Sequence, residues 1–155
     1  MSVKEKILNS QRRILDRLIE WEESAAKLYG RYARRFPEQA EVWLGLAREE
    51  AEHAAALRAF HVLLDHGFLL EGIGGFDSSI VDQEIATART ALERADKPSL
   101  QLADAIATAR AIETSVIETQ FYDVVSCKAP EFEAIAEMIV GGSDRHLEKL
   151  RSLSA

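Results

Sequence analysis

Three prolines divide the chain into long segments in which apolar residues recur with the period of an α-helix. Proline ends a helix because it has no backbone N–H and its ring clashes with the preceding turn. The prolines and the periodicity predict four long helices, over residues 10–35, 38–64, 99–128 and 131–153, with Ser10 as the first N-cap. A glycine-rich crossover at 67–80 and a short amphipathic helix at 81–95 separate the second long helix from the third. We therefore expect an all-α fold.

Composition limits the classes of protein to which the chain can belong. Its 155 residues are enough for one domain with its own core, and we expect a single domain over 1–155. The net charge of −7 and the lack of a basic stripe argue against nucleic-acid binding. The single cysteine, Cys127, excludes a four-cysteine, rubredoxin-type iron site on this chain. The charged N-terminus and the lack of a long apolar run predict a cytoplasmic protein without a membrane segment.

Glu50 and His53 lie three residues apart, so they share one face of the second predicted helix. The rest of that face carries apolar residues at helical spacing: Trp43, Leu46, Ala47, Ala54 and Leu57. Burying a carboxylate or an imidazole on such a face is costly unless the group has a partner. A metal ion is one such partner. For this motif alone, the simpler alternative is a solvated Glu50 beside an ordinary half-buried histidine.

The other long helices also place a titratable side chain at the centre of an apolar stripe. Glu22 has this place in the first helix, Glu113 in the third and His146 in the fourth. Glutamate and histidine clusters suit iron or manganese better than metals that prefer sulfur ligands. We therefore predict a metal site between the helices, formed by Glu22, Glu50, His53, Glu113 and His146. The alternative is a metal-free network of buried polar groups that fixes the helix register.

The two halves of the chain are similar at a constant offset of 93 residues. The corresponding pairs are Pro37 and Pro130, Glu50 and Ser143, and His53 and His146. An internal repeat of two helix pairs predicts pseudo-two-fold packing, in which equivalent positions meet near the bundle axis. The repeat is broken at Ser143, which stands where a second glutamate would be expected.

Further positions in all four helices match one known pattern over nearly the whole chain. They are Ile14, Leu15, Leu18, Glu22, Ala25, Ala26, Tyr29, Glu49, Glu50, His53, Ala105, Ile106, Ala109, Glu113, Val116, Ile117 and His146. On these residues the chain resembles the rubrerythrin-like branch of the ferritin-like superfamily. The resemblance implies a ferritin-like four-helix bundle with a long crossover and a short extra helix between helices two and three. It also implies a di-iron carboxylate centre and, often, a dimer.

The resemblance assigns roles to four of the five residues of the predicted site. Glu22 would be a terminal ligand of one iron, Glu50 would bridge and His53 would cap. Glu113 would bind from the third helix. Tyr29 is expected to donate a hydrogen bond that orients one of the carboxylates.

Two positions depart from the family's pattern. Ser143 stands in place of the second bridging glutamate, and Gln120 stands where a tyrosine is expected. A hydroxyl is a far weaker ligand than a carboxylate. The site could therefore hold a single ion, hold two irons with a water in the gap, or be degenerate.

Three functions follow as hypotheses. The first is an oxidoreductase of the peroxidase or ferroxidase type, which reduces peroxide or dioxygen and oxidises ferrous iron. Its cofactor would be one or two iron ions, with manganese or zinc as alternatives. Its partners would be a separate electron-donor protein and a second copy of the chain in a homodimer. The second hypothesis is an iron-binding or storage protein, and the third is a metal-free helical scaffold in which Ser143 marks the loss of the site.

Overall fold

The computed structural model describes residues 1–153, apart from the side chain of Glu118. Within this range the fold is all-α, as predicted, and consists of helices joined by short irregular segments. The α-helices are α1 (Val3–Arg35), α2 (Ala40–Asp65), α3 (Ser79–Ala95), α4 (Leu102–Glu113), α5 (Ile117–Val124) and α6 (Glu131–Ser152). Two 3-10 turns lie at Pro37–Gln39 and Ile73–Gly75. None of the described helices is long and apolar enough to cross a membrane.

Helix α1 begins two turns earlier than predicted, and Ser10 is not its N-cap. The cap is Ser2, whose side-chain oxygen accepts a hydrogen bond from the Glu5 backbone N–H at 3.2 Å. In return, the Glu5 carboxylate accepts one from the Ser2 backbone N–H at 2.5 Å. This reciprocal capping box satisfies two N–H groups that have no partner within the helix. The signal for this cap is Ser-x-x-Glu at residues 2–5, but few core residues follow it, so apolar periodicity does not extend to this part of the helix.

Helix α1 packs against α2 and α3, whereas α6 packs against α2 and α4. Helix α3 contacts α1, and Asp82 of α3 accepts a hydrogen bond from Arg17 of α1 at 2.7 Å. The interior is filled by large apolar side chains with almost no exposed surface: Leu15, Leu28, Trp43, Leu46, Phe60, Ile85, Ile117 and Phe121. Consequently α1, α2, α4 and α6 enclose the space into which the predicted polar residues project.

The prediction of one long helix over 99–128 is wrong, because the helix is interrupted immediately after Glu113. Helix α4 ends there, and α5 starts at Ile117 after a three-residue interruption. Within the interruption, the Thr114 hydroxyl donates to the Arg110 carbonyl at 2.8 Å. The Ser115 hydroxyl accepts from the Ile117 backbone N–H at 3.4 Å. Such local side-chain bonds compete with the helical backbone bonds and favour the break.

The break also changes which side chains face the core. A continuous helix would bury Val116, Ile117 and Val124 on the same face as Glu113, but Val116 and Val124 are 52% and 42% exposed. Ile117 is buried, as the continuous helix predicts, and so is Phe121, which that prediction did not include. Beyond Glu113, a continuous helical phase therefore predicts the buried side chains only in part.

The crossover between α2 and α3 is anchored to α1 by Gln11, a buried side chain that periodicity did not single out. Its amide nitrogen donates to the Leu70 carbonyl at 3.0 Å. Its amide oxygen accepts from the Leu70 backbone N–H at 3.1 Å. One glutamine therefore satisfies both backbone groups of a buried loop residue, which would otherwise be costly to bury.

The residues after Leu70 are paired with the segment that follows α5. Glu71 and Ser126 exchange two backbone hydrogen bonds, at 2.7 and 3.0 Å. Gly72 adopts a φ of +79°, and a Cβ at this position would lie 2.0 Å from the Val124 carbonyl oxygen. Both the left-handed backbone and the close approach require glycine here. The glycine-rich crossover therefore has a defined structure at residues 70–72.

We expect Gln11→Leu to lower the free energy of unfolding by about 3 kcal/mol, because it leaves the buried N–H and C=O groups of Leu70 without partners. Urea unfolding followed by circular dichroism measures the change. Gln83→Leu, at an exposed position of α3, is the matched control and should shift the midpoint little. Equal midpoints for the two variants would contradict the prediction.

Candidate metal centre

All five residues predicted as ligands lie in the interior between α1, α2, α4 and α6. Even the most accessible of them, Glu113, is only 7% exposed. Their ligand atoms form two groups, each with all its atoms within 4.8 Å of one another. The first group is Glu22, Glu50 and His53; the second is Glu50, Glu113 and His146. Glu50 is therefore shared, and these buried groups could hold a metal ion.

The first group is open in the centre. Nδ1 of His53 lies 3.5 Å from a Glu50 oxygen and 3.8 Å from a Glu22 oxygen. These distances are too long for good hydrogen bonds, and the buried Nδ1 has no hydrogen-bond partner among the described residues. Two atoms bound to one ion at about 2.1 Å each lie about 3–4 Å apart. The spacing of the first group therefore fits a cation better than a hydrogen bond.

The second group is closed by hydrogen bonds. Nδ1 of His146 lies 2.8 Å from a Glu50 oxygen and 2.9 Å from a Glu113 oxygen. Tyr29 donates to the other Glu113 oxygen at 2.5 Å, as expected for a donor that orients a carboxylate. A cation bound in this group would have to displace the hydrogen at Nδ1 of His146.

Periodicity did not identify Glu49, the residue beside Glu50. Its carboxylate lies 2.7 Å from Nε2 of His146 and also pairs with Lys149. The two ring nitrogens of His146 therefore face carboxylates on opposite sides. The signals available in the sequence were the doubled acid at 49–50 and a lysine three residues after the histidine.

The two histidines related by the internal repeat meet, as the repeat predicted. The rings of His53 and His146 are stacked, with centroids 5.6 Å apart and planes inclined by 23°. Ser143, the position at which the repeat is broken, has no carboxylate to add to either group. Its neighbour Gly142 packs against His53: a Cβ on Gly142 would lie 2.5 Å from Cε1 of that ring. In the second half of the repeat, α6 therefore packs closely on His53 at Gly142, and the next residue supplies no carboxylate.

Burial and mutual contacts change the proton affinities of these groups. Burial, with the nearby Glu50 charge, raises the pKa of Glu113 to about 7, although hydrogen bonds from His146 and Tyr29 oppose the shift. Burial alone would lower the pKa of His146, but hydrogen bonds with Glu113 and Glu50 raise it to about 10. Burial alone would raise the pKa of Glu50, but its polar contacts with Glu22, His146 and His53 lower it overall. The metal-free centre at neutral pH thus contains an imidazolium beside carboxylates.

This arrangement predicts that the metal-free protein loses stability as the pH rises. The pKa of His146 is about 10 in the folded protein and 6.5 for an ordinary histidine, so the folded form binds the extra proton between these values. The stabilisation is complete below 6.5 and is lost as the pH approaches 10. Between pH 7 and 9 we expect the free energy of unfolding to fall by about 1.4 kcal/mol per pH unit.

Chemical unfolding of chelator-treated protein at several pH values measures this slope. The double variant His146→Gln, Glu113→Gln is the control, because it keeps polar groups at both positions but removes both side chains whose pKa is raised, and its slope over this range should be much smaller. An equal slope for the two proteins would contradict the assignment to His146.

Buried carboxylate and imidazole donors are typical ligands of iron, manganese and zinc. A group of two carboxylates and one imidazole leaves coordination positions for an external molecule, which is required for chemistry at a metal. Comparison with known proteins finds no match to this chain among family models, curated proteins or solved structures.

Proposed function

We propose that this protein binds iron between its helices and uses it as an oxidoreductase that acts on peroxide or dioxygen. The observation that carries the proposal is the open first group, in which a buried imidazole nitrogen without a hydrogen bond faces two carboxylates. An ion between them would compensate the cost of burying these groups. The second group, which shares Glu50, gives the chain donors for a second ion.

In the same proposal, the architecture is a ferritin-like bundle of the rubrerythrin-like branch. Its four helices would be α1, α2, α4 together with α5, and α6. The contacts of α1 with α2, of α2 with α6 and of α4 with α6 support this arrangement. The segment between α2 and α3, held by hydrogen bonds at Leu70 and Glu71, would be the long crossover. Helix α3 would be the short extra helix. The stacking of His53 on His146 supports the pseudo-two-fold relation between the halves.

The two groups are expected to fill in order. The first ion would bind Glu22, Glu50 and His53, because Nδ1 of His53 makes no hydrogen bond that an ion must break. A second ion would bind Glu50, Glu113 and His146 and would compete with the hydrogen bonds of His146. With Ser143 in place of a second bridging acid, the second ion is expected to bind more weakly than the first.

Bound iron would supply the electrons that reduce peroxide or dioxygen as it passes from the ferrous to the ferric state. The residues of the chain would position the ions and exclude bulk water, since the ligands are almost fully buried. Tyr29 would hold Glu113 through its hydroxyl, and burial raises the pKa of Tyr29 well above its usual value, so that it remains a donor. A separate protein would return the electrons.

Anaerobic titration of chelator-treated protein with ferrous iron tests the proposal. We expect saturable binding of one or two ions per chain, and faster oxidation of bound than of free ferrous iron after peroxide is added. The control is the triple variant Glu22→Gln, Glu50→Gln, Glu113→Gln. Binding no greater than that of the triple variant would overturn the proposal. Parallel titrations with manganese and zinc determine which metal the site prefers.

A metal-free scaffold is the second candidate. It is favoured by one observation, the closed hydrogen bonding of His146 to carboxylates on both sides. In this case the buried groups would fix the helix register without an ion. The same titration distinguishes the two functions, because a scaffold would bind no more metal than the triple variant.

A further inference from the structure

Glu49 belongs to neither group of candidate ligands, yet it contacts one of their members directly. Its carboxylate lies 2.7 Å from Nε2 of His146, a residue with no exposed surface. Glu49 itself is partly accessible and lines a cleft of about 440 Å³ on the protein surface. Glu49 therefore links the buried His146 to a solvent-accessible cleft beside α2.

The two nitrogens of His146 face different surroundings. Nδ1 points to Glu50 and Glu113, the other members of the second group. Nε2 points outward to Glu49. A neutral imidazole carries a hydrogen on one nitrogen and a lone pair on the other, and the hydrogen bond made by one nitrogen decides which form is present. For His146 to bind an ion together with Glu50 and Glu113, the lone pair must be on Nδ1.

We propose that Glu49 is the positioning residue that makes Nδ1 of His146 the metal-binding atom. It accepts a hydrogen bond from Nε2–H, which leaves the lone pair on Nδ1 and fixes the orientation of the ring. This inference rests on the proposed metal binding and adds a residue that acts through a ligand. A carboxylate in this place also increases the electron density that the imidazole offers to a cation.

Lys149 holds Glu49 in the position that this role requires. Its ammonium group pairs with one carboxylate oxygen of Glu49 while the other oxygen faces His146. Lys149 lies one turn after His146 on α6, so the two contacts come from the same helix face. The carboxylate from α2 is thus bound at both oxygens by residues of α6.

Replacement of Glu49 separates this role from a general effect of charge near the site. Zn²⁺ titration of the full chain by calorimetry gives the affinity of each class of site without any redox step. With Glu49→Leu, we expect the affinity of the weaker site to fall about 10- to 100-fold. Glu49→Gln keeps an oxygen that accepts from Nε2–H and should restore most of the affinity. Glu52→Leu is the matched control, because Glu52 lines the same cleft on the same helix but is exposed.

Nitrogen-15 NMR of the zinc-loaded protein reads the protonated nitrogen of His146 directly. We expect a hydrogen on Nε2 and zinc on Nδ1 in the wild type and in Glu49→Gln, and loss of this pattern in Glu49→Leu. A merely structural role of Glu49 would leave the pattern unchanged. Zinc on Nε2 in the wild type would overturn the inference, as would equal zinc affinities for Glu49→Leu and Glu52→Leu.

The outcomes also separate this inference from the proposed function. If wild-type protein binds neither zinc nor iron, the metal site itself is wrong and the role of Glu49 falls with it. If wild-type protein binds zinc at Glu50 and Glu113 but Glu49→Leu binds it equally well, only the role of Glu49 is wrong.

Discussion

Glu50→Gln is expected to abolish specific metal binding, with a loss of affinity of at least about 100-fold at both groups. The reason is geometric, because Glu50 is the one residue that contributes an oxygen to each group of ligand atoms. Loss of a residue that only orients a ligand already costs about 10- to 100-fold, so loss of a shared ligand should cost more. Metal analysis after gel filtration, followed by ferrous iron titration, measures the effect.

Comparison with single-group variants makes this prediction specific. Glu22→Gln should remove binding at the first group and leave the second, whereas Glu113→Gln should do the reverse. Glu52→Gln makes the same chemical change at an exposed position of α2 and should leave metal content unchanged. If Glu50→Gln loses no more metal than Glu22→Gln or Glu113→Gln, the two groups do not share Glu50 as a ligand.

Gly142→Ala is expected to destabilise the protein by about 1–3 kcal/mol and to remove binding at the first group. The added methyl carbon would lie 2.5 Å from Cε1 and 2.7 Å from Nε2 of His53, closer than atoms that are not bonded can approach. The ring has little room to retreat, because it is stacked on His146 and is only 3% exposed. Either the imidazole turns away from Glu50, or α6 moves away from α2.

The adjacent Gly141 provides a control, because its replacement by alanine should change the stability in the opposite direction. A Cβ on Gly141 would meet only the guanidinium end of Arg145, at an ordinary contact distance of 3.5 Å. Gly141→Ala should therefore stabilise the helix by about 0.5–1 kcal/mol through reduced backbone entropy of the unfolded chain. Thermal unfolding and metal content of both variants test the pair. Equal stability of the two variants would show that His53 is not confined by α6.

Much of the fold was predictable because helical periodicity and proline positions are local properties of the chain. They were sufficient for the all-α class and for the approximate extents of α2, α3 and α6. They also placed Glu22, Glu50, His53, Glu113 and His146 on inward faces, since a single polar residue within an apolar stripe has a defined phase. The internal repeat predicted the meeting of the two histidines.

The remaining features depend on contacts between distant parts of the chain. The break after Glu113 comes from hydroxyl groups that compete with the helix, and periodicity contains no information about that competition. Gln11 acts on a loop backbone that is 59 residues away, and nothing local distinguishes it from an exposed glutamine. Glu49 has its role only because His146 reaches it from α6. Side-chain pairing across helices therefore determines the parts of the site that the sequence alone did not reveal.

The hydrogen bonds that hold residues 70–72 in place should slow the exchange of backbone amide hydrogens there. The backbone N–H groups of Leu70, Glu71 and Ser126 lie outside the helices, but each donates to a partner far along the chain. Opening any of them requires residues 70–72 to separate from α1 or from the segment after α5. Their amide hydrogens should therefore exchange with solvent as slowly as those of buried helix turns, whereas that of the exposed neighbour Leu69 should exchange quickly.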